Sequence, residues 1–216
     1  MISFKNVSKR YPDGYVALNN IDLSVEPGEM VFLTGHSGAG KSTLLKLIAA
    51  IERPTSGTIT ISGQNIAQLK LGAIPYLRRK IGFIFQDHKL LFDRNVFDNV
   101  LLPLQIGSFE NHMMVSRVRA ALDKVGLLKK EKSMPIALSG GERQRLCIAR
   151  AVVHRPSILI ADEPTGNLDV DYARDIMAMF TSFNQVGVTV LIATHDASLL
   201  EDTQHRVLSL KQGKLA

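Results

Sequence analysis

Two patterns of hydrophobic and polar residues recur along the chain: short apolar runs, and longer segments in which apolar residues have helical spacing. The apolar runs predict strands at residues 2–7, 17–25, 30–34, 58–62, 81–85, 158–161 and 188–193. Helical spacing and composition predict helices at residues 42–50, 74–79, 115–125 and 171–186. The runs at 158–161 and 188–193 show no apolar–polar alternation, which is typical of parallel strands buried on both faces. The pattern predicts an α/β fold, with a helical insertion from residue 86 to about residue 135.

Composition narrows the class of protein. The chain has 216 residues, 45% of them hydrophobic, which suffices for the core of one domain. No stretch approaches the ~18 consecutive apolar residues of a membrane-spanning helix, and the first residues lack the order of a signal peptide, so we expect a cytoplasmic protein. The net charge of +6 is scattered among acidic residues, so we do not expect nucleic-acid binding. Cys147 lies in an apolar helical run and is expected to be buried rather than nucleophilic.

A glycine-rich loop follows the strand predicted at residues 30–34. The sequence GHSGAGKS at residues 35–42 matches every fixed position of the phosphate-loop pattern, and a predicted helix follows it. The glycines let backbone N–H groups surround a phosphate, while Lys41 should reach the β- and γ-phosphates and Ser42 should ligate magnesium. The residues expected to bind a nucleotide here are Gly35, His36, Ser37, Gly38, Ala39, Gly40, Lys41, Ser42 and Thr43.

Two adjacent carboxylates follow the apolar run at residues 158–161. A buried strand that ends at a ligand cleft is the expected place for an acid that organises magnesium, and we assign this role to Asp162. Glu163 should point the other way by strand alternation. It is then placed to accept a proton from an attacking water, so we assign it as the general base.

Polar residues follow two further predicted strands. His195 comes after the strand at residues 188–193, and Gln86 comes after the strand at residues 81–85. Because the carboxyl ends of parallel strands meet at one edge of a sheet, we expect His195 to contact the γ-phosphate, and Gln86 is a weaker candidate on position alone. Tyr11 lies in a turn with little core to fill, where its ring could stack on a purine base.

A second candidate anion site lies far from the glycine loop in sequence. Ser139 is placed to cap a helix that opens with Gly140 and Gly141, and a helix start offers free N–H groups and the positive end of a dipole to an anion. An ordinary capped helix would leave the paired glycines unexplained, since each weakens a helix by up to ~1 kcal/mol relative to alanine. Because the phosphate loop already serves one nucleotide, we expect this site to serve a nucleotide held by another copy of the chain, in a head-to-tail dimer.

The ordered set of motifs resembles the ATP-binding cassette (ABC) ATPases. The motifs are the phosphate loop, Gln86, Leu138-Ser139-Gly140-Gly141-Glu142, Asp162-Glu163, Asn167-Leu168-Asp169 and His195. The resemblance spans essentially the whole chain and implies hydrolysis of ATP with Mg²⁺ by a homodimer that encloses two ATP molecules. It also implies a phosphate-loop NTPase core with a mixed sheet, an N-terminal antiparallel β subdomain and an inserted α-helical subdomain. We expect residues 1–85 and 156–216 to form the core of a single domain, and residues 86–155 to form the helical subdomain with the signature helix.

The resemblance also assigns roles by matching position. Tyr11 is similar to the aromatic residue that stacks on adenine, and Gln86 to the sensor of magnesium and water. Asp169 is similar to the interface residue that couples the two sites, and His195 to the γ-phosphate switch. The catalytic set implied is Lys41, Gln86, Glu163 and His195, and the metal set is Ser42, Gln86 and Asp162. No catalytic position departs from the family pattern, so nothing suggests a degenerate ATPase.

Within the family, the chain resembles an ATPase of a bacterial cell-division complex that controls cell-wall remodelling. The stretches that carry this similarity lie at residues 35–40, 84–91, 121–128 and 183–190. The resemblance implies a separate polytopic membrane partner and a place at the cytoplasmic face of the plasma membrane. One alternative is the ATPase of a lipoprotein-release or macrolide-type exporter. Another is a soluble family member that acts on DNA or ribosomes, which usually carries two cassettes or a long coiled-coil insertion that this chain lacks.

The segment after Gln86 is the predicted docking region for the membrane partner. In the family, a short cytoplasmic helix of that partner sits in a groove near the glutamine loop. The apolar residues of this segment are Leu90, Leu91, Phe92, Val96, Phe97 and Val100. We expect them to form an exposed groove, with burial inside the helical subdomain as the alternative for each of them.

Overall fold

The computed structural model describes residues 1–107, 109–166, 168–196, 199–200 and 203–216. The strands among them are β1 (Ile2–Arg10), β2 (Val16–Val25), β3 (Met30–Thr34), β4 (Ser56–Ile61), β5 (Gln64–Asn65), β6 (Ile81–Ile84), β7 (Ile158–Asp162), β8 (Thr189–Ala193), β9 (Arg206–Lys211) and β10 (Lys214–Leu215). The α-helices are α1 (Lys41–Ile48), α2 (Ile74–Arg78), α3 (Val96–Ile106), α4 (Asn111–Lys124), α5 (Gly140–Val152) and α6 (Val170–Gln185). Short 3₁₀ helices lie at Ile66–Gln68, Leu71–Ala73, Leu128–Lys130 and Pro135–Ala137. Every predicted strand and helix is present, with ends shifted by a few residues.

The larger sheet contains the strands that the apolar runs predict as parallel. Its strand order is β10-β9-β3-β8-β7-β6. The five strands from β9 to β6 are parallel to their neighbours, and β10 is antiparallel to β9. All residues of β7 and β8 are buried, as expected for strands covered on both faces. The predicted α/β fold with a mixed sheet is confirmed, and the carboxyl ends of β3, β8, β7 and β6 meet at one edge of this sheet.

The two faces of the larger sheet belong to two different hydrophobic cores. Val31 and Leu33 of β3 pack in a core shared with α1 and with the smaller, antiparallel sheet, whose strand order is β2-β1-β4-β5. Met30 and Phe32 point to the opposite face and pack in a core shared with the helices α3, α4, α5 and α6. Side chains of a strand alternate between its faces, so a continuous apolar run is required to fill both cores. The phosphate-loop helix and the helical insertion therefore lie on opposite sides of one sheet.

The strand β9 was not predicted from the sequence. It lies beside β3, with Phe32 opposite Val207 and Thr34 opposite Ser209. Its sequence, RVLSLK, mixes polar and apolar positions, and Leu210 is its one buried residue. The apolar run is therefore too short to stand out from a surface segment. The consequence for the site is direct, because β9 borders the strand that leads into the glycine loop.

The helices after β6 form the layer that the sequence predicts as an insertion. The helices α3, α4 and α5 pack against one another, and α5 also packs against β6. The predicted exposed groove is wrong for three of its six residues, because Leu90, Val96 and Val100 are buried in the core between these helices. Leu91 is partly exposed, and docking at this segment stays a prediction. Phe92 is 53% exposed, whereas Phe97 is partly buried against the same core. The division at residues 86 and 155 stays a prediction.

Candidate nucleotide-binding and active site

A cavity of about 690 Å³ lies at the edge of the larger sheet where β3, β8, β7 and β6 end. Its lining residues are Tyr15, Thr34, Gly35, His36, Ser37, Gly38, Ala39, Gly40, Lys41, Ser42, Thr43, Gln86, Glu163, His195, Ser209 and Lys211. The structure thus brings the whole predicted phosphate loop together with the three polar residues that follow β6, β7 and β8. The convergence follows from topology, since each of these residues lies one or two positions beyond the carboxyl end of a parallel strand.

The glycine loop has a shape that side chains at two positions would prevent. Gly35 has φ +150°, and a Cβ there would lie 2.3 Å from the carbonyl oxygen of Leu210. Gly40 has φ +108°, and a Cβ there would lie 2.4 Å from the carbonyl oxygen of Ala17. Both contacts are with backbone atoms, which cannot move aside as a flexible side chain can. The loop is therefore held between β2 and β9, with its backbone N–H groups available to an anion.

Lys41 and Glu163 form the charged centre of the cavity. The Lys41 ammonium donates to the carbonyl of Gly35 at 2.7 Å and to that of His36 at 3.4 Å, and it lies 3.4 Å from Oε1 of Glu163. The other carboxylate oxygen, Oε2 of Glu163, lies 2.7 Å from Nδ1 of His195. The side chains of Lys41 and Glu163 are buried, whereas that of His195 is 68% exposed. Glu163 therefore connects the phosphate loop to a histidine at the mouth of the cavity.

The backbone of Glu163 explains how its side chain reaches this centre. The strand β7 ends at Asp162, and Glu163 has φ +51°, in the left-handed region. Residues with a side chain rarely adopt this conformation, and where they do the strain is commonly associated with function. The predicted reason for the direction of Glu163, strand alternation, is wrong, because the residue lies beyond the strand and its backbone turns sharply. Its N–H donates to the carbonyl of Ala193 at the end of β8, which holds this turn in place.

Asp162 lies beneath the glycine loop rather than in the cavity lining. Burial raises the pKa of its carboxyl above the ordinary value, and a hydrogen bond from the Ser42 hydroxyl acts in the opposite direction. Oδ1 of Asp162 is buried and has no hydrogen-bond partner among the described residues. A buried carboxylate oxygen without a partner, next to a hydroxyl, fits the donor set that Mg²⁺ accepts. Ser42 and Asp162 are therefore together as predicted, with Gln86 in the nearby lining.

The aromatic residues near the glycine loop differ from the prediction. The Tyr11 hydroxyl lies 3.2 Å from Oγ1 of Thr43 and donates to Glu52 at 3.0 Å, so Tyr11 adjoins the loop without lining the cavity. Tyr15 lines the cavity, is 50% exposed and donates its hydroxyl to the carbonyl of Gly38 at 2.7 Å. The two rings stack with centroids 6.3 Å apart. Tyr15 was not predicted from the sequence, although its position in the same turn as Tyr11 could have indicated it. Base stacking by Tyr11 stays a prediction.

Ser139, Gly140 and Gly141 do not line the cavity of their own chain. Ser139 caps α5 as predicted: its hydroxyl accepts from the N–H of Glu142, whose carboxylate accepts from the N–H of Ser139. The two glycines differ in their surroundings. A Cβ on Gly141 would lie 2.8 Å from the ring of Tyr172 in α6, whereas a Cβ on Gly140 would meet nothing within 4 Å. Packing therefore accounts for Gly141, whereas no contact within the described part of the chain accounts for Gly140.

This difference between the glycines predicts a difference in stability. We expect Gly141→Ala to lower the free energy of unfolding by about 1 kcal/mol, because overpacking against the Tyr172 ring outweighs the gain in helix propensity. Gly140→Ala should leave the stability unchanged or raise it by up to ~1 kcal/mol. Thermal unfolding followed by circular dichroism should then show a midpoint lower by about 2–4 °C for Gly141→Ala only. Equal midpoints for both variants would show that the Tyr172 ring moves aside without cost.

Asp169 and Cys147 have local roles that the structure makes plain. Asp169 caps α6, and its carboxylate accepts from the N–H of Tyr172 at 3.0 Å. This local hydrogen bond stabilises the helix, so a coupling role for Asp169 stays a prediction; Asn167 lies outside the described residues. Burial raises the pKa of the Cys147 thiol to about 12, and the predicted burial of this cysteine is confirmed.

One serine and one lysine of the cavity lining were also not predicted from the sequence. Ser209 and Lys211 reach the lining from β9. Their positions follow from the unpredicted strand, so no motif signalled them.

The fold and the cavity define a phosphate-loop nucleotide-binding protein. The sequence profile described as ABC transporter matches residues 18–166, and the chain belongs to this family. The predicted family is thereby confirmed. None of the helices in the described part of the chain is both long and apolar enough to span a membrane.

The chain is similar over its whole length to proteins named cell division ATP-binding protein FtsE. It is 57% identical over 215 residues to the protein of that name from Escherichia coli (strain K12). The alignment covers 100% of this chain and 97% of that protein. The corresponding protein from Bacillus subtilis (strain 168) is 44% identical over 213 residues, with 99% of this chain and 93% of the relative covered. A solved structure, described as a dimeric post-hydrolysis state of the ATP-binding cassette MJ0796 bound to ADP and Pi, superposes with a TM-score of 0.91. It is 35% identical, and the match covers 100% of this chain and 96% of that one.

Proposed function

We propose that the chain is the ATP-hydrolysing subunit of a membrane complex that acts in bacterial cell division. The observation that carries the hydrolytic part is the position of Glu163, whose two carboxylate oxygens contact Lys41 of the phosphate loop and His195. A carboxylate fixed beside the phosphate loop is placed to accept a proton from a water that attacks the γ-phosphate. The products are ADP and phosphate.

The contacts of Glu163 suggest the order of events at the site. An incoming triphosphate competes for the Lys41 ammonium, which lies 3.4 Å from Oε1 of Glu163. Once the ammonium binds the phosphates, Oε1 is free to accept a proton from water. The hydrogen bond between Oε2 and Nδ1 of His195, 2.7 Å long, keeps the carboxylate oriented during this change. His195, at the cavity mouth, is also placed to donate to the γ-phosphate.

The donor set near the loop suits a magnesium ion bound with the nucleotide. Ser42, Asp162 and Gln86 are the residues that would hold it, and Asp162 offers a buried oxygen that has no hydrogen-bond partner among the described residues. When bound, Mg²⁺ neutralises negative charge on the β- and γ-phosphates.

The position of Ser139 supports a dimer with shared sites. The N-terminus of α5 does not reach the cavity of its own chain, and its first residue, Gly140, has open space around it. A helix N-terminus binds anions well, so we infer that it faces the γ-phosphate held by a second copy. The dimeric state of the similar MJ0796 cassette supports a homodimer for this chain. Tyr11 would stack on adenine, and Asp169 would lie at the interface.

The cell-division role is supported by full-length similarity to the FtsE proteins, at 57% identity to the one from Escherichia coli. This similarity favours the division role over that of an exporter ATPase. We infer a polytopic membrane partner that resembles FtsX and that holds the chain at the cytoplasmic face of the plasma membrane. Depletion of the chain in its host should produce elongated cells, and copurification from detergent-solubilised membranes should recover such a partner. Recovery of an exporter permease, with normal cell length, would contradict the proposal.

A groove between the sheet and α3 is the surface that we assign to this partner. The groove has a volume of about 510 Å³. Its apolar lining residues include Phe83, Phe85, Leu102, Pro103, Ile106 and Phe109, and its charged lining residues are Arg78, Arg79, Lys89 and Arg150. The occupant that we infer is a short amphipathic helix of the membrane partner, because the groove is apolar and its charged lining residues are basic. It replaces the docking segment expected from the sequence.

Ile106→Lys tests this surface. Ile106 is 67% exposed and is the last residue of α3, where a lysine suits the helix dipole. We expect the variant to lose copurification with the membrane protein while binding ATP normally, because a cation cannot replace the apolar contact. Val186→Lys is the matched control, since Val186 is 78% exposed, follows the last residue of α6 and lies outside the groove. Equal recovery of the partner with both variants would place the docking surface elsewhere.

A further inference from the structure

The segment that follows Gln86 has an uncommon backbone conformation. His88 has φ +62° and Lys89 has φ +46°, so two consecutive residues with side chains lie in the left-handed region. Single residues visit this region, but runs of them require support from their surroundings. The carbonyl groups of both residues point towards α5, where they find donors. The backbone conformation after Gln86 therefore depends on hydrogen-bond donors from side chains of α5.

One face of α5 supplies these donors. Arg150 donates from Nη2 to the carbonyl of His88 at 2.6 Å and from Nη1 to the carbonyl of Lys89 at 2.7 Å. The thiol of Cys147 lies 3.4 Å from the same His88 carbonyl, and the side chain of Gln144 hydrogen-bonds the His88 ring. Residues three apart lie on the same face of a helix, so these three side chains form one row along α5.

The far end of the same segment is fixed separately. Asn99 of α3 is fully buried and accepts from the N–H of Leu91 at 3.0 Å. Its amide donates to the carbonyls of Leu91, Arg94 and Asn95 at distances from 2.9 to 3.1 Å. The segment is thus held by Asn99 at residues 91–95 and by Arg150 at residues 88–89. Gln86, which lines the cavity, is two residues from the Arg150 contacts.

We propose that Arg150 is a positioning residue that sets the place of Gln86 in the cavity and ties it to the signature helix. Ser139, Gly140 and Gly141 lie at the opposite end of α5, about 15 Å away at the rise of an α-helix. A shift of α5 that accompanies contact with the second copy would therefore carry residues 88–89 with it and move Gln86 in the chain's own cavity. This inference rests on the proposed hydrolysis at shared sites. It adds the physical connection between the N-terminus of α5, which faces the second copy, and Gln86 in the chain's own cavity.

A double-mutant cycle between Arg150 and Gln86 tests the proposal. We expect Arg150→Met, which keeps the apolar stem, to lower kcat for ATP at least roughly ten-fold with KM changed by less than about three-fold. In a Gln86→Ala background the same substitution should lower kcat by less than about two-fold, because Arg150 acts through Gln86. Arg150→Lys, which can donate to the same carbonyls, should restore part of the activity. Arg119→Met is the control, since Arg119 is an exposed arginine of α4 that pairs with Glu131.

Each outcome of this cycle has a clear meaning. The proposal is overturned if Arg150→Met leaves kcat unchanged, or if its effect is equally large with and without Gln86, as a general loss of stability would produce. Should Arg150→Met fail to fold, as judged by its thermal unfolding, the cycle with Arg150→Lys decides: its remaining loss of kcat should become smaller in the Gln86→Ala background, and a loss of the same size in both backgrounds overturns the proposal. An absence of ATP hydrolysis in the unmodified protein would instead contradict the proposed function.

Discussion

Glu163→Gln should bind ATP normally and hydrolyse it roughly 10²–10⁴ times more slowly, because loss of a general base affects the transition state more than binding. The amide has the size of the carboxylate and can remain between Lys41 and His195, so the cavity keeps its shape. Phosphate release measured under saturating ATP gives kcat, and a titration with a fluorescent ATP analogue gives the affinity.

Lys41→Ala provides the contrast for that experiment. Loss of the ammonium removes a contact to the phosphates, so this variant should lose affinity for the analogue. Glu163 would not be the base if Glu163→Gln hydrolysed ATP at the rate of the unmodified protein. A weakened affinity of Glu163→Gln equal to that of Lys41→Ala would assign Glu163 to binding instead.

Ser139→Arg should abolish ATP-dependent dimerisation while the single chain still binds ATP. The substitution places a bulky cation at the N-terminus of α5, where we propose that a second copy presents its γ-phosphate. Because Ser139 is not in the cavity lining of its own chain, the phosphate loop is undisturbed. Sedimentation velocity with Glu163→Gln, which retains ATP, measures the dimer with and without Ser139→Arg.

A matched variant separates this effect from the loss of the helix cap. Ser139→Ala removes the hydroxyl that accepts from the N–H of Glu142, and it costs about 1 kcal/mol of stability without adding bulk. We expect it to weaken dimerisation much less than Ser139→Arg does. An ATP-dependent dimer that persists with Ser139→Arg would contradict the shared site.

The parallel strands and the phosphate loop were predictable because their signals are local. The runs at β7 and β8 are apolar throughout, and the glycine pattern from Gly35 to Ser42 has a strand before it and a helix after it. The strand β9 was not predictable in this way, because both of its faces mix polar and apolar residues and its place beside β3 is decided by a partner far away in sequence.

Geometry at single residues was also beyond the sequence pattern. The approach of Glu163 to Lys41 depends on its left-handed backbone, which strand alternation does not express. The packing reason for Gly141 depends on Tyr172, a residue of another helix. In both cases the sequence identified the residue, and the tertiary structure determined what the residue contacts.

The strand β9, which lies far from the glycine loop in sequence, has a consequence for folding of the chain during its synthesis on the ribosome. The glycine loop is complete in sequence by residue 42, yet the carbonyl of Leu210 packs against Gly35 and the N–H of Gly213 donates to the carbonyl of Ala39. A nascent chain that has emerged only as far as β8 lacks these neighbours, so its loop has no fixed wall on one side. We therefore expect the glycine loop to reach its final shape only after β9 and Gly213 have emerged, and a chain that terminates before β9 to hold the proposed nucleotide poorly.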